Sequence, residues 1–155
     1  MNKSLSMNIL RLSFLLVLVG FFAPLGCNLN GYQIAQGILG NTKELGNATF
    51  LAPIEDFYGY VLFGVFVFAF IGLVFTFLAK IHNNFLLGFI CLAVSFVFLI
   101  IVVLKFVAMR EEALTHFLVT LFRIKVRILI GGYSMGFGYL AGVVGFVLKI
   151  SKITE

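Results

Sequence analysis

"FYGYVLFGVFVFAFIGLVFTFLA", residues 57–79, contains no charged side chain. A helix rising 1.5 Å per residue needs about 20 apolar residues to cross a hydrocarbon core of about 30 Å, so this run by itself predicts a membrane span. Outward from it, residues 85–104 and 128–148 form two further runs free of charge. A fourth run, residues 12–26, is shorter. Arg11 can extend its guanidinium to headgroup level and lend Ile9 and Leu10 to that span. The chain therefore reads as an all-α membrane protein, one domain over residues 1–155 with spans at about 9–26, 57–79, 85–104 and 131–148. Two long connections, at about 27–56 and 105–130, fall on one side.

Composition points the same way. The 155 residues are 62% hydrophobic and 11% charged, against roughly 25% charged in a soluble domain, and the mean hydropathy is +1.15. The net charge of +5 is divided among short pieces between the runs. Anionic membrane lipid, and not nucleic acid, is the partner this distribution predicts. Phe is abundant and Trp absent, while Tyr32, Tyr58, Tyr60, Tyr133 and Tyr139 fall near predicted span ends, as in an interfacial aromatic belt.

"FFAPLGCNLNGYQIAQG", residues 21–37, can be understood in two ways. Lys3 and Arg11 ahead of the apolar core Leu12–Ala23 also describe a secretory signal. Gly26 before Cys27 suits lipoprotein processing, whereas Pro24 stands where Leu is usual, and residues 22–28 offer no small-x-small cleavage pattern. Three later returns to the membrane favour retention of the first helix. Pro24 then ends it, and Cys27 emerges at the surface as a free or lipidated thiol. The alternative is cleavage, leaving Cys27 as a modified N-terminus and three spans. Beyond it, Asn30 as a cap with Ile34 and Ile38 four apart predicts a short surface helix, a juxtamembrane turn being the alternative.

The order of a first span, Pro24 and Cys27, the stretch Gly31-Tyr32-Gln33-Ile34-Ala35-Gln36-Gly37, three further spans and a last helix rich in Gly and Tyr resembles a loose group of small bacterial four-span membrane proteins. The resemblance implies a four-span topology in a bacterial cytoplasmic membrane. It carries no activity onto any residue.

With the N-terminus inside, Lys3, Arg11, Lys80, Lys149 and Lys152 lie inside, and Lys43, Lys105, Arg110, Arg123, Lys125 and Arg127 outside. Charge counting is nearly even. The weight of the first helix, the basic turn "KIHNN" and the tail "KISK" select both termini inside. In "LFRIKVRILI", residues 121–130, charged and apolar residues alternate with the period of a strand, and "NATFLAP", residues 47–53, is the partner available to it. The two connections carry opposite net charge, which favours docking. The expectation is a small extracytoplasmic cap containing two short β-strands, similar in architecture alone to the claudin-like tetraspan plan. The alternative is a basic juxtamembrane segment on the cytoplasmic side, which inverts the topology. Ala113, Leu114, Phe117, Leu118 and Leu121 have helical spacing, so the third span can continue toward the cap or lie on lipid.

Chemistry-bearing residues are sparse within the runs. No ionisable group interrupts the second or third, where one is retained only for a purpose. His82 and His116 are expected about a bilayer apart, too far to share a metal. Cys27 and Cys91 are expected at different depths, Cys91 as a small apolar packing residue. No enzyme, cofactor or metal is expected. "GGYSMGFGYLAGVVGFVLK", residues 131–149, places Gly132, Gly136, Gly138, Gly142 and Gly145 at spacings of three and four that let helix backbones approach in lipid. Packing against the first or third helix is expected ahead of a homo-oligomer. The sequence thus suggests an accessory, assembly or scaffolding subunit of an envelope complex. It would use this glycine face and a basic edge of Arg123, Lys125 and Arg127 toward a membrane protein partner, lipid headgroup or acidic loop. The alternative is a small oligomeric channel or exporter with Tyr133, Ser134 and Tyr139 on a pore face.

Overall fold

The structure, a computed structural model, describes residues 3–26, 29–39, 56–78, 84–112 and 129–151. Its elements in chain order are α1 (Lys3–Phe22), β1 (Pro24–Gly26), β2 (Leu29–Asn30), α2 (Gly31–Ile38), α3 (Asp56–Phe77), α4 (Asn84–Glu112) and α5 (Leu129–Ile150). Among the described residues, α1, α3, α4 and α5 are long and apolar enough to span a membrane. Each of the four is apolar on its buried and its outward face. Phe70 is half exposed while Ala69 beside it is fully buried. A helix apolar all round belongs in a core or in lipid.

Both ends of the first helix differ from expectation. α1 begins at Lys3, well before Ile9, so that Arg11 is its ninth residue and donates to a carbonyl near the end of α3, described below. It stops at Phe22, since Pro24 has no N–H and pushes Ala23 out of helical geometry. The chain turns instead into an antiparallel pairing of Pro24 with Asn30 and Gly26 with Leu29. The described sheet is therefore local. The expected long-range strands, residues 47–53 and 121–128, lie outside the described residues, and Leu129 and Ile130 open α5 as helix.

The short surface helix forms where Asn30 and Ile34 predicted it. The Gln33 backbone N–H donates to Asn30 Oδ1 at 2.8 Å, and the Asn30 N–H donates to Gln33 Oε1 at 3.0 Å. This reciprocal pair satisfies two donors that a helix start otherwise leaves open. Ala35 and Ile38 of α2 are buried, and a β-carbon on Gly59 of α3 would lie 2.8 Å from Leu39 Cγ. α2 thus lies flat against the start of α3. α4 runs through to Glu112, so residues 105–112, expected in a connection, are helical. No proline or glycine follows Gly88 within α4, and a single Lys105 does not break a helix.

The bundle is built from two close antiparallel pairs, α1 with α5 and α3 with α4, joined chiefly where α1 meets α3. Leu10, Phe14, Val17 and Phe21 follow spacings of four, three and four along α1 and are all buried. This stripe meets Val61, Leu62, Val65 and Ala69 of α3, Leu92 of α4, and Met135 and Tyr139 of α5 in one core.

Between α1 and α5 the backbones nearly touch. A β-carbon on Gly131 would lie 2.7 Å from the Gly20 carbonyl oxygen, and one on Gly138 would lie 2.7 Å from that of Ser13. Gly142 faces Leu92 and Ser13, and Gly145 faces Ile9. Gly132 and Gly136 have nothing within 4 Å of an added β-carbon. Within the chain the close approaches are thus made at Gly131, Gly138, Gly142 and Gly145, while Gly132 and Gly136, expected on the same face, meet no neighbouring helix. A seven-residue step returns to nearly the same side of a helix, within about 20°, which keeps 131, 138 and 145 in line. One residue further, position 132 has turned by about 100°.

This geometry predicts opposite outcomes for chemically identical changes. Gly138→Ala forces a β-carbon against the Ser13 backbone and should cost about 1–3 kcal/mol. Gly132→Ala should be neutral or gain up to about 1 kcal/mol from helix propensity. Unfolding of both variants in mixed micelles, followed by circular dichroism, checks this; equal destabilisation would contradict the assigned face.

Candidate functional site

The polar side chains inside an apolar bundle are the positions where chemistry could occur, and the structure brings them to three depths. At the depth where α3 ends, the Arg11 Nη2 donates to the Thr76 carbonyl oxygen at 2.8 Å. The next-to-last residue of α3 has no amide four residues ahead within the helix, so its carbonyl is one of the orphan acceptors of a helix end. A cation there also meets the negative end of the helix dipole. The guanidinium carbon lies 4.4 Å from the centroid of the Phe77 ring, and Nη1 donates to Asn8 Oδ1 at 3.3 Å. Nε is enclosed by protein with no hydrogen-bond partner. Arg11 is therefore a tether between α1 and α3 rather than a side chain merely stretched toward the headgroups.

Midway along the bundle, Ser95 Oγ donates to the Val65 carbonyl oxygen at 3.0 Å and lies 2.8 Å from Tyr139 Oη. A serine hydroxyl has one proton. With that proton on Val65, Tyr139 must be the donor to Ser95. The resulting chain runs from α5 through α4 to α3, and both side chains are buried. Tyr139 was expected at an interface, and its place in the core corrects that. The aromatic ring hides the difference at sequence level, because Tyr serves equally at a membrane surface and wherever its hydroxyl finds a partner.

On the α1–α5 seam, Ser134 Oγ donates to the Leu16 carbonyl oxygen at 2.9 Å. Tyr133 next to it is outward and 57% exposed. The three residues considered for a pore face thus point in different directions: Tyr133 outward, Ser134 to α1 and Tyr139 to α4. Ser13 and Thr76 are buried and donate to carbonyls one turn back in their own helices, those of Leu10 and Leu73. Cys91 is buried as a free thiol beside Gly72, whose added β-carbon would lie 2.9 Å from its Cβ.

Arg123, Lys125 and Arg127, together with Cys27, His82 and His116, lie outside the described residues. Among the described residues, no three His, Cys, Asp or Glu side chains gather as a metal site would require. What the assembled residues do chemically is hold helices in register. Arg11, Ser95 and Ser134 were missed as structural joints, and the signal open to a sequence reading was only that each is a polar residue interrupting an apolar run. No protein-family model, curated protein or solved structure matches this chain.

Ser95→Ala should cost more than Tyr139→Phe. The first strands a buried phenol hydroxyl, at about 1–3 kcal/mol. The second leaves Ser95 bonded to Val65 and should cost about 0.6 kcal/mol, the scale of polar contacts between membrane helices. A double-mutant cycle in bicelles measures both. A larger loss from Tyr139→Phe would mean that the serine proton does not go to Val65.

Proposed function

We propose that this chain is an integral protein of the bacterial cytoplasmic membrane, crossing it four times with both termini inside. It serves as an accessory, assembly or scaffolding subunit of an envelope complex. One observation carries this reading: the polar groups within the bundle are spent on the bundle. Ser134 is used on Leu16, Tyr139 on Ser95 and Ser95 on Val65, and Arg11 gives two of its N–H groups to Thr76 and Asn8. What the helices offer sideways is apolar and aromatic surface, such as Phe137 and Leu140 at 64% exposure. Contacts of that kind suit lipid and other membrane helices, where close approach and dispersion drive association.

Lys and Arg counts over the whole chain are nearly even, and the weight of the first helix, the basic turn "KIHNN" and the tail "KISK" support the orientation. Among the described residues, the end where α1 and α4 begin and α3 and α5 finish carries Lys3, Arg11 and Lys149 with no acid. The opposite end carries Lys105 and Arg110 against Asp56, Glu111 and Glu112. Excess Lys and Arg beside spans favours the cytoplasmic side. The basic segment Arg123, Lys125 and Arg127 is then extracytoplasmic and available to a partner.

Native mass spectrometry of tagged full-length protein, extracted in mild detergent, tests the role. The expected result is a 17.2 kDa subunit carrying a second protein at fixed stoichiometry. That protein should be lost when Arg123, Lys125 and Arg127 are all changed to Glu. A bare monomer from several mild detergents would overturn the subunit reading. Reporter fusions at the C-terminus, active only on one side of the membrane, test the orientation independently.

A further inference from the structure

We propose that Arg11 is the headgroup site for an anionic glycerophospholipid, with a strip of α3 as the bed for its acyl chain. The inference rests on the membrane placement proposed above. Two independent features meet here. The first is a cation held in place before any ligand arrives. Thr76, Asn8 and the Phe77 ring fix the guanidinium on three sides. An arginine has five N–H groups. Two are used on Thr76 and Asn8 and the enclosed Nε accounts for a third, leaving one on each terminal nitrogen for an outside acceptor. Paired N–H groups on the two terminal nitrogens suit two oxygens of one phosphate.

The second feature is apolar. Val67, Phe70, Val74 and Phe77 follow spacings of three, four and three along α3 and are exposed by 45%, 52%, 41% and 63%. They form one outward strip that starts at the ring beneath the guanidinium. Ten residues of helix cover about 15 Å, half of a hydrocarbon core of about 30 Å, which is the depth of one leaflet. A fixed cation at the head of a leaflet-deep apolar strip complements an amphiphile with a phosphate at one end. A free phosphate or a soluble acidic peptide would leave the strip unused. Lys149, its ammonium 4.1 Å from the centroid of the Phe85 ring, adds positive charge at the same end of the bundle.

Native mass spectrometry and thermal unfolding of the full chain in mild detergent, with phosphatidylglycerol, phosphatidylcholine or inorganic phosphate added, test the site. Phosphatidylglycerol should be retained over phosphatidylcholine by about five-fold, the worth of one basic residue near an anionic headgroup. It should also raise the unfolding temperature, and inorganic phosphate should not. Arg11→Gln should abolish the preference. Arg11→Lys, which keeps the charge and can still cap α3 but lacks the planar fork, should weaken it, and serves if Arg11→Gln does not fold. Equal retention of the two lipids by the unaltered protein overturns the site. So does an unchanged preference in either folded variant, or equal stabilisation by inorganic phosphate. Failure of the membrane placement is read separately, as protein released from vesicles by an alkaline wash.

Discussion

Along the seam between α1 and α5, the carbonyl oxygens of Gly20 and Ser13 occupy positions that a β-carbon on Gly131 or Gly138 would need. That approach is the constraint on which the rest of the bundle depends. In the membrane placement proposed above, where lipid is as apolar as the helices, hydrophobic burial would not drive them together, and backbone proximity and dispersion would supply the attraction. Once α5 is pressed against α1 in this register, Ser134 reaches Leu16 and Tyr139 comes level with Ser95. The buried stripe of Leu10, Phe14, Val17 and Phe21 is then left facing α3 and α4, and Phe14 fills the space that Gly72 leaves open.

The polar joints add little free energy individually. A hydrogen bond between membrane helices contributes about 0.6 kcal/mol on average, whereas a hydroxyl left unpaired in the core costs about 1–3 kcal/mol. That asymmetry makes them markers of register. If α4 were displaced by one turn along α3, Ser95 would lose Val65 and Tyr139 would lose the acceptor that Ser95 provides. Arg11 does the same between the middle of α1 and the end of α3, since it ties a charge to a carbonyl that α3 itself leaves open.

Much of the architecture could be read from residue order. Four charge-free runs marked the four long helices, Pro24 marked the end of the first, and Asn30 with Ile34 marked α2 closely. Other features depended on information a single chain does not display. Glycine spacing reveals that a close face exists but not its phase, which is why Gly132 and Gly136 were grouped with Gly138 and Gly142 while Gly131 went unnoticed. The role of Arg11 depends on a carbonyl sixty-five residues away, so local context suggested only a span end. Tyr139 lies in the core because Ser95 meets it there, and neither residue signals the other along the chain. The candidate site was less legible than the fold for the same reason: its members are joined across helices, not along them.

Pairing the first long helix with the last also has a consequence in time. A ribosome leaves about a hundred residues between the end of α1 and the start of α5, on the order of ten seconds of synthesis. Throughout that interval α1 has its glycine-facing side open and no permanent neighbour along it. α3 and α4, adjacent in sequence, can form their hairpin as soon as they are made, but the seam closes only when α5 arrives. The chain therefore completes its assembly by a long-range step, and a nascent protein halted before α5 offers α1 as a free surface to whatever insertion machinery or chaperone holds it.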